Sequence, residues 1–433
     1  MVRINERRWL VLIFACYVFL AVGYSLLMPI WEAPDEPAHF HIAWRLARIG
    51  KAPAPNGNYE AHQPRTYYYV ASWVIRALDK VDPRYSDYHL VPEFKYNLRK
   101  PVRRFYWTDE NYRFLLGVYA LRWINVLFGS LALWLNWNTF GRIAPDQQGL
   151  RLSALAFAAL TPQYLHIMSS VSNDALGTLA GALLFYLAIR MMTASSHPWT
   201  WFSVPLALIL PLTTKLTVLP AGVAFLISMA WQKAFGTGRK KWLLIAALTG
   251  LFVFVLFYLI FPEAFRFAIN EIKWRLFSFR KNAFTSEHLK FILPQIIWTY
   301  WGKVGWLAVG LPRGLVALLT LLGATGALIS AYNLIKMKPD SSQFAVWIVT
   351  WLFALFTVAA VLRNGLTTNA AQGRLLFPAI GALSLLMING WYQVLPERLR
   401  QRLPLIVIVL MVSCTIILWA FGVLPVYYQP WWD

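Results

Sequence analysis

The sequence predicts an all-α polytopic membrane protein, and three observations predict it. Of 433 residues, 58% are hydrophobic and 14% charged, where a soluble protein carries about a quarter charged. Nearly charge-free runs of about 20 residues recur along the chain, each long enough to cross roughly 30 Å of hydrocarbon. Twenty-two tryptophans supply the aromatic anchors found at membrane–water interfaces.

These runs give about 11 transmembrane helices, at residues 9–30, 113–140, 151–169, 173–192, 199–213, 216–232, 241–262, 314–335, 343–362, 375–394 and 404–424. The 199–213 run is short, so ten is the alternative count. The first run has a basic start but no small-residue cleavage site, and Asp35 closely follows its end. It reads as an uncleaved span, not a removed signal peptide. Arg3, Arg7 and Arg8, then Lys233, Arg239, Lys240 and Lys241, then Lys336 and Lys338, then Arg398, Arg400 and Arg402 all fall on one side of an 11-span chain. The positive-inside rule makes that side the cytoplasm.

Segments 31–112 and 263–313 then lie outside, with the short turns near 170, 214 and 363–374. No stretch is long enough for a large outer domain, so residues 1–433 read as one integral membrane domain with two ordered outer loops. Cys16 and Cys414, the two cysteines, sit inside expected spans and cannot build a disulfide framework or thiolate metal site.

The net charge is +21, more than the inner loops explain. Segment 263–313 sets Arg266, Lys273, Arg275, Arg280, Lys281, Lys290, Lys303 and Arg313 against Glu263, Glu271 and Glu287. Excess cation there suits a lipid phosphate or pyrophosphate; anionic headgroups of the outer leaflet are the other reading. Nucleic acid is excluded as a partner: the cations lie on a membrane face and no binding motif accompanies them.

Just beyond the first span the chain reads Trp31-Glu-Ala-Pro-Asp-Glu-Pro-Ala-His-Phe40. Carboxylates at a membrane surface are costly unless they pair, face water or perform chemistry. Asp35 suits an N-cap with Pro37 in the first turn. Phe40, Ala43, Leu46 and Ala47 then follow at helical spacing, with Arg45 and Arg48 on another face. That pattern predicts an interfacial amphipathic helix stopped at Gly50. A second is expected over 66–80, with Val70, Trp73, Val74 and Ala77 as its apolar stripe, and a third interfacial stretch over 284–300. Residues 51–65, rich in Pro, Asn and Gly, read as loop, and 81–111 as a segment closing over the site.

With the Asp35-Glu36 pair after the first span, the layout resembles the GT-C superfamily of polyprenyl-phosphate-sugar-dependent membrane glycosyltransferases, which includes the protein O-mannosyltransferases and the aminoarabinose transferase of lipid A. Five further stretches carry the resemblance. His62-Gln-Pro-Arg-Thr-Tyr-Tyr-Tyr69 is similar to a His-x-Pro-Pro-type element, with Arg65 where a second Pro is commoner. Thr161-Pro-Gln-Tyr164 leads to an acidic residue in Ser172-Asn-Asp174. Lys215 lies in Thr213-Thr-Lys-Leu-Thr217. Trp301-Gly-Lys-Val-Gly-Trp306 and Ala371-Gln-Gly-Arg-Leu-Leu-Phe-Pro378 are similar to a less-studied bacterial branch. The resemblance implies transfer of a sugar from a polyprenyl-phosphate, such as undecaprenyl phosphate, to a lipid, polysaccharide or protein acceptor in the cell envelope.

The chemistry is arguable from the residues alone. Such a transfer needs a base for the acceptor's proton, cations where phosphate charge develops, and a groove for the prenyl chain. One displacement without an enzyme nucleophile inverts the anomeric carbon. Asp35 is the candidate base, with a helix cap as its other reading. Glu36, about 100° further round a helix, is paired with it as catalytic but suits orienting a neighbour or binding the acceptor. Asp174 contacts donor or acceptor, or caps a helix. Lys215 and Arg374 receive the phosphate or snorkel, with Lys303 and Arg363 as weaker phosphate candidates. His39 and His62 join the substrate-binding set. No metal or other cofactor is expected, since His39, His41 and His62 lack tight ligand spacing, although a divalent ion among them and the carboxylates is the alternative.

Three rivals stand beside the inverting glycosyltransferase. A flippase for lipid-linked sugars would place polar residues at mid-span depth. An O-antigen ligase or polymerase would use outer Arg and His residues on a lipid diphosphate. A non-catalytic relative would keep the scaffold alone. The expected location is a bacterial inner membrane or archaeal-type membrane, with the N-terminus cytoplasmic and the site on the outer face.

Overall fold

The computed structural model describes residues 5–54, 57–58, 60–82, 112–193, 205–206, 209–235, 269–270, 273, 285–338, 342–368 and 371–428. The first element, α1 (Glu6–Leu27), is capped by Asn5, whose Oδ1 accepts the Arg8 N–H at 3.2 Å. Two helices follow, α2 (Glu36–Arg48) and α3 (Thr66–Asp79). Then come α4 (Tyr112–Ile143), α5 (Gln148–Leu160), α6 (Pro162–Met168) and α7 (Asp174–Thr193). A 3-10 turn, Leu216–Val218, runs into α8 (Leu219–Phe235).

The later elements are α9 (Ser286–Trp301), a two-stranded antiparallel hairpin of β1 (Lys303–Val304) and β2 (Val309–Gly310), α10 (Arg313–Ile335) and α11 (Ser342–Thr367). A 3-10 stretch, Gly373–Ala379, leads into α12 (Ile380–Val394), followed by α13 (Glu397–Leu418), a π-turn over Trp419–Val423, and α14 (Leu424–Tyr428).

Among the described residues, seven helices are long and apolar enough to cross a membrane, and two shorter apolar helices, Gln148–Leu160 and Leu216–Ser228, accompany them. This is a multi-pass membrane protein. The expected span over 151–169 is corrected: it is two helices, broken where Thr161 adopts ψ 121° and Pro162, which lacks an N–H, opens α6. Thr161 Oγ1 donates to the Phe157 carbonyl at 2.7 Å and satisfies the break. The expected span at 241–262, residues 83–111 of the expected covering segment 81–111 and most of 199–213 lie outside the described residues.

The chain buries two apolar cores. The larger joins the spanning helices. The smaller packs α2 on α3 and the start of α4 through Trp31, Phe40, Ala43, Leu46, Tyr67, Tyr68, Ile75 and Leu115. The α2 stripe falls as its periodicity predicts, and Gly50 adopts φ 74° just past its end. On α3 the expected stripe faces outward, as an interfacial helix requires: Trp73 is 63% exposed, whereas Tyr67, Tyr68, Ala71 and Ser72 on the other face are buried. The inward face packs on α2 and α4 through Tyr67, Tyr68, Ala71 and Ile75.

The loops sort to two ends. Glu6 pairs with Arg151 at 2.6 Å, and Arg400 caps the end of α12 through the Leu395 carbonyl at 2.7 Å. These belong to the basic end. The opposite end gathers the turns that precede α2, α7, α8, α10 and α12, and it carries the site.

Candidate active site

The site begins with strain. Trp31 and Asp35 have φ 72° and 64°, a left-handed conformation disfavoured for residues bearing a Cβ. Contacts from distant parts of the chain hold them there. The Trp31 N–H donates to Glu36 Oε2 at 3.0 Å, and its carbonyl accepts from Trp306 Nε1 at 2.8 Å. Next to it, Tyr427 donates its hydroxyl to Glu32 Oε2 at 2.9 Å.

Glu36 is fully buried and saturated. Its carboxylate takes Arg122 Nε at 2.8 Å and Nη2 at 2.6 Å, with the Val171 N–H at 3.0 Å. Arg122, itself fully buried, also donates to the carbonyls of Ser25, Met28 and Pro29 at 2.5, 2.8 and 3.2 Å. It thereby caps the C-terminus of α1, where helix carbonyls lack intrahelical donors. Glu36 and Arg122 lock α1, α2, α4 and the 169–173 turn into one piece. A sequence sign of Arg122 exists: it is an arginine inside an expected span.

Asp35 occupies the N-cap position of α2, but its side chain makes no cap bond. It turns instead to Arg374 in an ion pair. Arg374 also lies 3.5 Å from Asp174 Oδ2, and Asp174 Oδ1 receives Lys215 Nζ at 2.5 Å. Lys215 donates further to Asn173 Oδ1 at 2.8 Å. Two carboxylates and two cations from four distant turns thus form an alternating quartet of zero net charge. Burial raises the Asp35 carboxyl, but the charge and hydrogen bond of Arg374, with the charge of Lys215, outweigh it and hold Asp35 below the usual carboxylate range.

The quartet owes Arg374 to a close approach. The Gly373 N–H donates to Thr299 Oγ1 at 2.6 Å, and a Cβ on Gly373 would lie 2.3 Å from the Ile296 carbonyl. Arg374 Nε is buried without a hydrogen-bond partner, and Nη1 meets Asp174 only as a 3.5 Å ion pair, so the guanidinium keeps donor capacity for a ligand.

The other expected site residues are spread around this centre. His39 is buried, its Nδ1 2.8 Å from the Tyr68 hydroxyl. Burial pushes its pKa down to about 3, so at neutral pH it is a neutral hydrogen-bonding group. His62 lies against Gln63 at 3.2 Å, and Gln63 Oε1 lies 3.5 Å from Asn173. Lys303 stacks on the Trp298 ring at 4.6 Å, beside Arg313 at 5.5 Å from the same ring. Its backbone N–H donates to Gln163 Oε1 at 2.7 Å. None of the described contacts brings the Lys303 side chain into the quartet. Among the described residues, no three His, Cys, Asp or Glu side chains are placed to ligate one metal ion.

Arg363 sits elsewhere, at the polar margin of a cavity of about 450 Å³ between α8 and α11. Leu216, Pro220, Val223, Phe356, Val361 and Leu375 give that cavity an almost wholly apolar lining. Leu216 and Leu375 directly follow Lys215 and Arg374, so the apolar cavity opens beside the two cations. Sequence reasoning passed over Arg122 and Glu60, and quoted Tyr68 and Trp306 within motifs without giving either a role. Arg122 had a one-dimensional signal as a charge inside an expected span; Glu60 is defined by what surrounds it.

No family model matches the sequence, and no curated protein matches it. Solved structures do. ArnT from Cupriavidus metallidurans bound to undecaprenyl phosphate superposes with a TM-score of 0.54 at 14% identity over 94% of this chain and 64% of that one. The apo state of that protein gives a TM-score of 0.48 at 12% identity, over 92% and 62% of the two chains. The chain thus spans a little under two thirds of the length of the structures it matches. The chain shares the fold of ArnT.

Proposed function

We propose that this protein is an inverting glycosyltransferase that moves a sugar from a polyprenyl phosphate to an acceptor hydroxyl or amine. One observation carries this reading: a buried acid–cation quartet stands at the mouth of an apolar cavity, joined to it by Lys215–Leu216 and Arg374–Leu375. A ligand with an anionic head and a hydrocarbon tail fits that juncture. The likeness in fold to an ArnT that was solved with undecaprenyl phosphate supports the same lipid class here.

Arg374 and Lys215 receive the phosphate, and the prenyl chain enters the cavity past Arg363. Phosphate competes with Asp35 for Arg374, so donor binding loosens the ion pair and returns basicity to Asp35. The acceptor attacks C1, its proton passes to Asp35, the C1–O bond to phosphate breaks, and the charge left on phosphate is met by the two cations. Glu36 holds the strained turn beside this chemistry and takes no proton. His39, Tyr68 and His62 line the sugar side as hydrogen-bonding groups. No metal is needed for these steps. Seated as one integral membrane unit, with the basic loop end in the cytoplasm, the enzyme works on the outer face of a bacterial inner membrane.

The test uses protein in nanodiscs, a panel of polyprenyl-phosphate sugars, and release of lipid phosphate with and without EDTA. Native protein releases it with at least one donor, and Asp35→Asn does so about 10²-fold more slowly or worse. Undiminished release by Asp35→Asn removes Asp35 as the base, and binding of lipid phosphate unaffected by Arg374→Ala removes the phosphate site.

A further inference from the structure

The loop between α2 and α3 carries a third carboxylate. Asn58 pins that loop to α2: its amide donates to the Ala38 carbonyl at 3.0 Å, and its Oδ1 accepts the Glu60 N–H at 2.9 Å. Further on, Gln63 reaches Asn173, the neighbour of Asp174. Glu60 is therefore fastened between the turn bearing Asp35 and the turn bearing Asp174. Its carboxylate is half-buried and makes no ion pair or hydrogen bond among the described residues.

Charge balance gives this placement its meaning. Arg374 and Lys215 already match Asp35 and Asp174, so Glu60 has no counter-charge of its own. Burial pushes the Glu60 carboxyl up, the charges of Asp35 and Asp174 add to that, and Lys215 and Arg374 oppose it. The result is about 7. Asp35 is held low. Tyr68, whose hydroxyl is bonded to His39, faces the same group. The higher proton affinity of Glu60 favours a proton leaving Asp35 for it.

We propose that Glu60 receives the acceptor's proton from Asp35 and releases it to water at the rim of the site. The step rests on the glycosyl-transfer reading and balances within it. The acceptor's O–H or N–H proton moves to Asp35 as the new bond to C1 forms. It then moves to the Glu60 carboxylate, directly or through one water, and Asp35 is again charged beside Arg374. Glu60 acts through Asp35, so it is a relay residue that never touches the sugar.

Lipid phosphate release by native protein, Glu60→Gln and Glu60→Asp is followed from about pH 5 to about pH 9. For the native protein kcat rises through about pH 7 as Glu60 becomes able to accept a proton. In Glu60→Gln kcat falls about 10–100-fold and this limb disappears, with the donor KM unchanged. Glu60→Asp keeps most of the activity, and imidazole restores part of it to Glu60→Gln, as it would not for a merely structural loss. Infrared difference titration reads the carboxyl without turnover: a protonated-carboxyl band titrates near pH 7 in native protein and is missing in Glu60→Gln. Native kcat and an unchanged limb in Glu60→Gln overturn the relay, and so does a native protein without that band. Turnover lacking with every donor while the band titrates overturns the glycosyl-transfer reading, and the relay with it.

Discussion

Asp35 and Arg374 lie 339 positions apart in the chain and meet in an ion pair, where Arg374 also faces Asp174. The pair joins the start of the first interfacial helix to the turn before α12. It also holds Asp35 charged, so its proton affinity depends on where Arg374 points.

Arg374→Lys keeps the charge but loses the planar fork that spans two acceptors. We expect weaker binding of polyprenyl phosphate by about tenfold, roughly 1.4 kcal/mol, and a smaller loss with Arg374→Lys than with Arg374→Ala. Titration of the lipid into nanodiscs, followed by native mass spectrometry, reads both affinities. Equal affinity in all three proteins counts against Arg374 as a phosphate ligand.

The Glu36–Arg122 pair is buried on both sides, so removing one partner leaves an isolated charge. Arg122→Leu should destabilise by about 3–5 kcal/mol, and the double variant Glu36→Leu/Arg122→Leu should recover part of that loss. Thermal unfolding in detergent with an intrinsic tryptophan signal measures both. A double variant less stable than the sum of the singles contradicts the coupling.

The apolar cavity makes a steric prediction. Ala360→Trp places an indole in a space of about 450 Å³ and should abolish turnover of long-chain donors while sparing those with one or two isoprene units. The ratio of kcat/KM for long and short donors is the readout. A uniform loss would move the prenyl chain elsewhere.

Glu60 makes a stability prediction opposite in sign to its effect on activity. Its pKa in the folded protein is about 7, against 4.5 for the free group. The folded state therefore binds the proton more tightly, and this stabilisation is present in full below about pH 4.5 and lost as pH rises through about 7. Above that pH the buried charge remains as a cost. Glu60→Gln should raise Tm at pH 8, by about 2–4 °C for each kcal/mol recovered, and flatten its fall between pH 5 and 8. A variant that melts lower than native at pH 8 refutes this.

Much of the site was legible one residue at a time. Asp35, Asp174, Lys215 and Arg374 drew attention because each is ionisable at the end of an apolar run, where charge is costly without a task, and the structure brings these four together. Glu36 was legible as a position but not as a role. One residue of separation places it round the helix from Asp35, yet its saturation by Arg122, Trp31 and Val171 depends on contacts up to 135 positions away. Lys303 looked like its neighbours in sequence, but it stacks on Trp298. Glu60 looked like a loop residue in a polar stretch, and only the pinning by Asn58 and the charges around it set it apart.

What the sequence by itself determined is the class: a helical membrane protein with interfacial helices after the first span. Hydrophobic length and the need to satisfy every backbone group inside the chain leave no other solution in lipid. The break at Thr161–Pro162 required the fold, because apolar residues facing lipid and facing protein look alike in one dimension. Tertiary structure alone decided the chemistry. A carboxylate becomes a base, an anchor or a relay according to the charges and donors placed around it, and here those arrive from turns far apart in the chain.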